Sequence, residues 1–242
     1  MIERYLVPVT KLFDDKAEMF ALFSRHFEGV TTEQFEADLN RKTWVILLKE
    51  NKVIQGFSTL HFYEAKLDNE PVRVVYSGDT ITDPSMWSSS ALAQGWVAAI
   101  KAIHQGRSEK LYWLLISSGY RTYRFMSIFG KEFYPHYDRE TPPTIAKFMD
   151  RLCREQFQDY YSREDGIVRF PQPQVLGDRL RDIPPEKLKD PHVAFFLQKN
   201  PGYIKGDELV CLAEVSVSNL TRAGLRLWHS KVPLSIPFPI DS

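Results

Sequence analysis

The chain is poor in cysteine: Cys153 and Cys211 are the only two in 242 residues. Two thiols do not make a disulfide-built scaffold. Long hydrophobic runs are also missing, and no apolar stretch approaches the ~20 residues of a spanning helix. The start, MIERYLVPVTKLFDD, carries charges and no apolar core of signal length. These absences lead us to expect a soluble, cytoplasmic protein. Charge of one sign is absent as well, since Lys+Arg and Asp+Glu both number 31. A balanced chain offers no bulk attraction to nucleic acid or to an anionic membrane. The six histidines, His26, His61, His104, His136, His192 and His229, show no metal-ligand spacing with cysteine or carboxylate. No metal is therefore expected. No P-loop, G-x-G-x-x-G or G-x-S-x-G motif occurs, so His136 and Asp138 lack the nucleophile that a hydrolytic triad needs.

What is present is material for a core. Hydrophobic residues make up 43% and aromatic residues 13%, which excludes a disordered chain. The length suits one domain, 1–242, with 139–206 as an extension before the last core strand. Leu12, Met19, Phe23 and Phe27 form an apolar stripe over Lys11 to Phe27, predicting a helix. Thr31 followed by Gln34 is an N-cap signature for a short helix to Leu39. Strands are predicted over 43–48, 53–64 and 72–81, with turns at Asn51-Lys52 and Asp68-Asn69. A helix over 88–106, an apolar strand over 111–117 and helices over 120–129 and 142–157 follow. Four prolines break the stretch from Ser162 to Asp190, which reads as an irregular connection. A short helix over 191–198 and a strand over 209–217 close the pattern. Consecutive strands pair antiparallel, and a strand–helix–strand unit makes a right-handed parallel crossover. The expected fold is therefore α/β (α+β), with a mixed, mostly antiparallel sheet flanked by helices.

The segment from Pro71 to Gly106 carries the clearest chemical signal. It reads as a β-branched strand, a short polar loop and a helix whose first turn is Ser88-Ser89-Ser90. A helix start supplies unpaired N–H groups and partial positive charge, which suit a phosphate or pyrophosphate. Serine is also an ordinary N-cap, so the same residues read equally as a plain helix start.

With this segment in place, the order of elements resembles the GCN5-related N-acetyltransferase family, best over Val74 to Phe133. In that family the fourth strand runs into a loop that grips the coenzyme A pyrophosphate. Thr82-Asp83-Pro84-Ser85-Met86-Trp87-Ser88-Ser89-Ser90-Ala91-Leu92 stands in that place. Asp83-Pro84 resembles the acidic-proline opening, and Ser88 to Ala91 the small-residue half. The loop contains no glycine where the family has Gly-x-Gly or Gly-x-Ala, and Met126 stands at the family's usual tyrosine position.

The resemblance implies an N-acyltransferase that moves an acyl group from acyl-CoA, or from an acyl carrier protein, directly to a small-molecule or peptide amine. In such a sheet the fourth and fifth strands part, and the thioester lies between them. Asp79 is then the candidate base, and Tyr120 and Tyr123 the candidate acids for the leaving thiolate. Thr80 and Ile81 would supply main-chain donors to the thioester carbonyl. Thr82, Trp87, Ser88, Ser89, Ser90 and Ala91 would hold the donor from the loop, and Ser117 and Ser118 from the facing strand. Arg121 and Arg124 would meet the adenosine 3′-phosphate or an acidic carrier, and they also read as a solvated helix face. Asp79 after Gly78 also reads as a bulge aspartate. The aromatic pairs Phe62-Tyr63 and Phe133-Tyr134 are candidates for an acceptor or acyl tunnel. The alternative is a binding or regulatory module of the same fold without catalysis.

Overall fold

The computed structural model describes residues 1–86 and 89–240. Its first half runs β1 (Glu3–Pro8), α1 (Asp15–Ser24), β2 (Phe27–Glu28), α2 (Thr32–Leu39), β3 (Trp44–Glu50), β4 (Val53–Leu67) and β5 (Glu70–Thr82). Then come α3 (Ala91–His104), β6 (Lys110–Ser117), α4 (Tyr120–Phe129) and α5 (Pro143–Phe157). The remainder is β7 (Tyr161–Ser162), β8 (Ile167–Val168), β9 (Val175–Leu176), α6 (Asp178–Arg181), α7 (Pro191–Lys199), β10 (Glu208–Glu214) and α8 (Arg222–Trp228).

Local chemistry sets the element ends. Asn51 and Lys52 take φ of 51° and 69°, and Asp68 and Asn69 take 48° and 67°. Both central residues in the left-handed region make the tight turns that match strand twist. These turns join β3, β4 and β5 into an antiparallel meander. Thr31 caps α2 by accepting from the Gln34 N–H at 3.2 Å. Asp190 caps α7 by accepting from the His192 N–H, with Pro191 in the first turn.

Among the described residues, eight strands form one sheet in the order β1-β3-β4-β5-β6-β10-β8-β7. Every pairing is antiparallel except β5 with β6, which α3 connects in parallel. The fold is thus a mixed, mostly antiparallel sheet flanked by helices. One face carries Ile46, Leu48, Val75, Trp113 and Leu115 beneath α3 and α4. The opposite face is covered in two pieces. Val45, Leu47 and Phe57 pack under α1 and α2, while Tyr76, Leu114 and Val210 pack under α5. Each fully buried aliphatic side chain here contributes roughly 1.5–3 kcal/mol.

The proline-rich stretch is more ordered than its composition predicts. β7 and β8 form a hairpin that extends the sheet beyond β10, and β9 pairs with β2 in a separate ribbon. Two-residue strands carry too little periodicity to read from sequence. α3 begins at Ala91, after the serines, because Pro84–Met86 winds as a 3-10 turn first.

Candidate functional site

The site begins where β5 and β6 part. Their parallel ladder runs from Val72↔Lys110 to Ser77↔Leu115 and stops. Beyond it β5 continues along β4 to Gly56↔Thr82, while β6 continues along β10 to Ser117↔Leu209. A wedge therefore opens between the strands past Ser77. The edge of β5 that had faced β6 loses its ladder partner along Gly78–Ile81, so backbone groups open to the wedge.

A bulge directs the side chains. Leu60 pairs with Ser77 and Ser58 with Thr80, so Gly78 and Asp79 together oppose Thr59. Ser77 and Thr80 consequently face α3, whereas Asp79 faces the α2 and α5 side. A Cβ on Gly78 would run into the Lys42 Cε and come within 2.7 Å of the Thr59 hydroxyl.

On the Asp79 side lies a cavity of about 260 Å³. Asp38 and Gln34 of α2, Asp79, Glu208 of β10 and the phenyl rings of Phe23 and Phe170 line it. Asp79 Oδ2 and Gln34 Oε1 are buried hydrogen-bond acceptors without a partner among the described residues. Burial, reinforced by Asp38, pushes the Asp79 carboxyl up to about 7, against the pull of the Lys42 ammonium. Burial and then Asp79 push Glu208 up to about 8. The Lys42 side chain is buried, with its ammonium 2.5 Å from Asp38 and 5.2 Å from the centre of the Tyr76 ring.

On the α3 side lies a cavity of about 500 Å³. Its polar end is the start of α3, with Ser89, Ser90 and Ala91, and its rim carries Arg121, Arg124 and Lys187. Its walls are apolar, from Met86, Leu92, Phe125 and Phe129. The two cavities share Phe27, Thr80, Ser118 and Thr122, the residues at the wedge.

Most of the sequence-derived candidates converge on these cavities. Asp79 and Ser117 line the first, Ile81, Thr82, Ser89, Ser90, Ala91 and Tyr120 the second, and Thr80 and Ser118 both. Trp87 and Ser88 lie outside the described residues. Several side chains are already committed. Thr80 Oγ1 lies 2.7 Å from Ser58 Oγ and donates to the Gly78 carbonyl. Ser117 Oγ donates to the Gly119 carbonyl at 2.7 Å, and Ser89 Oγ accepts from the Ala91 N–H.

Tyr123 stands elsewhere. It is fully buried, donates its hydroxyl to the Pro135 carbonyl at 3.1 Å, and packs among Phe133, Phe195 and Phe196. One helical position separates it from Thr122, which does reach the wedge. Phe133 packs with Tyr123, and Tyr134 lines a pocket beside α5, so neither forms a tunnel at the wedge. Phe62 and Tyr63 pack at the Arg73 side chain and the His61 ring. His136 and Asp138 pair at 2.6 Å beside the rings of Phe133 and His192.

Asp38, Lys42, Glu208, Gln34 and Thr122 were not named as site residues from the sequence. The i, i+4 spacing of Asp38 and Lys42 is a readable signal of a pair, and Glu208 is a charge at the mouth of an apolar strand. Among the described residues no group of three or more His, Cys, Asp or Glu side chains can hold a metal, and no helix is long and apolar enough to cross a membrane.

No known protein family matches the sequence, and no curated protein matches it. Solved structures do match. One is a conserved protein of unknown function from Enterococcus faecalis V583, described as "Probable N-Acyltransferase", at 14% identity and TM-score 0.43. That match covers 55% of this chain, which spans a third (33%) of the other's length. An aminoglycoside acetyltransferase from an uncultured soil metagenomic sample, in complex with sisomicin, matches at 14% identity and TM-score 0.35, covering 48% of this chain and 77% of that one. An acetyltransferase from Clostridium acetobutylicum, with acetyl-CoA, matches at 15% identity and TM-score 0.39, covering 59% and 95%.

Proposed function

We propose that the protein is an N-acyltransferase that moves an acyl group from a coenzyme A thioester directly to an amine. The observation that carries this reading is the meeting of two unlike cavities at one break in the sheet. The larger is apolar with a helix start and basic rim, and the smaller is rich in carboxylates. The first suits a pantetheine arm ending in phosphates. The second suits an ammonium group on a small body rich in hydrogen-bond donors, because its unpartnered atoms are acceptors.

In this reading the thioester lies at the wedge between Thr80 and Ser118, with its carbonyl toward the open backbone edge of β5. The amine enters from the Asp79 side. Asp79 takes one proton from the incoming ammonium, directly or through a water, and frees the lone pair. The nitrogen forms a bond to the carbonyl carbon, and the backbone N–H of Thr80 or Ile81 steadies the oxyanion. The carbon–sulfur bond then breaks and coenzyme A leaves as a thiolate, which takes a proton from Tyr120 or from solvent. The nitrogen passes its second proton to solvent at the wedge, which restores Tyr120 where that residue has protonated the thiolate, and Asp79 returns the first proton to solvent. Ser89, Ser90 and the α3 N-terminus face the pyrophosphate, and Arg121, Arg124 and Lys187 the outer phosphate. The arm of an acyl carrier protein has the same chemistry and is the alternative donor. The acceptor is a small-molecule amine; a peptide amine is the alternative.

The test is release of free thiol from acetyl-CoA against a panel of primary amines, alongside thermal shift with acetyl-CoA and with acylated carrier protein. Amine-dependent thiol release supports the reading. Donor binding without release against any amine points instead to a binding module, and no binding by any donor removes the reading.

A further inference from the structure

The larger cavity has a blind inner end. Just past the last β5–β6 pair, on the α3 side, lies a pocket of about 30 Å³. It shares Thr80, Leu92, Ala93, Thr122, Phe125 and Phe129 with the larger cavity, so it opens from that cavity at the wedge. Its other walls are Ser58, Ser77, Leu115 and two tryptophans, Trp96 of α3 and Trp113 of β6.

The two indoles close it. Both N–H groups donate to the same oxygen, Ser77 Oγ, at 3.1 Å from Trp96 and 2.9 Å from Trp113. A hydroxyl oxygen has two lone pairs, and this arrangement fills both. The two ring systems lie 4.4 Å apart, and Phe129 stands 6.3 Å from each. Both tryptophans are buried, at 8% and 7% exposure. Neither ring can swing aside without losing its only hydrogen bond and its packing.

We infer that this stop sets the length of the acyl group, and that the protein transfers acyl groups of two to four carbons. The inference rests on the acyltransferase reading above. A single water needs ~10–15 Å³ of such space, so the pocket takes about two or three non-hydrogen atoms. A thioester carbonyl at the wedge would direct its tail here, away from the carboxylates of the smaller cavity. The tail of an acetyl, propionyl or butyryl group, one to three carbons beyond the carbonyl, fits. A hexanoyl tail does not, and its other route runs among Asp79, Asp38 and Glu208, which an alkyl chain would desolvate without bonding.

The test compares acetyl-, propionyl-, butyryl-, hexanoyl- and octanoyl-CoA as donors for the wild-type chain, by kcat/KM and by affinity. The expected result is a fall of at least about 30-fold in kcat/KM from propionyl to hexanoyl. Trp96→Ala is expected to bring hexanoyl within about fivefold of acetyl, by opening the stop. Should that variant fail to fold, Ala93→Leu narrows the pocket from its half-buried α3 wall and is expected to cost propionyl more than acetyl. Equal use of acetyl and octanoyl groups by the wild-type chain overturns the inference while leaving the acyltransferase reading intact. Binding of no donor of any length overturns both.

Discussion

Lys42 and Asp38 stand four residues apart, and the Lys42 ammonium lies 2.5 Å from the Asp38 carboxylate beneath the cavity that Asp79 lines. The lysine side chain is 2% exposed and the aspartate 35%. Replacing Lys42 with methionine keeps the packing and removes the charge. Asp38 then acts on Asp79 without a cation between them. The acid limb of the pH–rate profile is expected to move to higher pH, because the Lys42 ammonium is what holds the Asp79 carboxyl down. Urea unfolding should show a loss of about 1–3 kcal/mol, since one partner of a half-exposed pair is left behind.

Asp79 should trade stability for turnover. Folding raises its carboxyl from the ordinary 3.8 to about 7. The folded chain therefore binds more proton than the unfolded chain between those values, and this group's contribution is lost as pH rises through about 7. Asp79→Asn is expected to stabilise the fold at pH 8 by roughly 1–2 kcal/mol in urea unfolding. The same variant should lower kcat/KM by about 10²–10⁴-fold. In the wild-type chain kcat/KM should rise with pH through about 7, as the base loses its proton.

Glu208 titrates after Asp79. Burial and then the Asp79 charge push it up to about 8, so it is still neutral while Asp79 loses its proton at about 7. Glu208→Gln keeps a neutral side chain there and is expected to leave the limb that reports Asp79 in place. A pH profile of kcat/KM on the variant checks this, and a limb that moves to lower pH would show Glu208 charged as Asp79 titrates.

Gly78 leaves no room for a side chain. Its added Cβ would meet the Lys42 stem and the Thr59 hydroxyl. Gly78→Ala is expected to cost about 1–3 kcal/mol by overpacking. Because the displaced group is Lys42, the pH profile should move with stability, unlike that of a core alanine placed elsewhere.

The strands, the two tight turns and the Thr31 cap were legible because each depends on a few adjacent residues. The continuous apolar run over 44–48 and the β-branched and aromatic content of Val53–Leu67 mark the strands, and Asn51-Lys52 marks the turn between them. The bulge at Asp79 was legible for a similar reason, since Ser77-Gly78-Asp79 is a common bulge composition. Glu208 was not, because it reaches the cavity only through the pairing of β10 with β6, more than ninety residues away in sequence. Tyr123 shows the limit from the other side. A tyrosine on an amphipathic helix gives no sign of which flank the rest of the chain will cover. Here α7, from the far end of the extension, packs its phenylalanines against it. The meeting of Trp96 and Trp113 on Ser77 spans 19 and 36 residues and left no local trace either.

The extra residue at Gly78-Asp79 acts as a phase shift in the chain. Upstream of it, odd-numbered Val75 and Ser77 look toward α3; downstream, odd-numbered Asp79 and Ile81 look the other way. Paired in strict alternation at unchanged length, the same residues would set Asp79 on the face of Ser77. The carboxylate would then leave its own chamber for the neighbouring one, and every residue after it would change sides as well. Removing Gly78 outright would restore the alternation and keep Asp79 where it is. What the bulge supplies is two successive positions on one face, the first too crowded for a side chain and the second holding the proton acceptor.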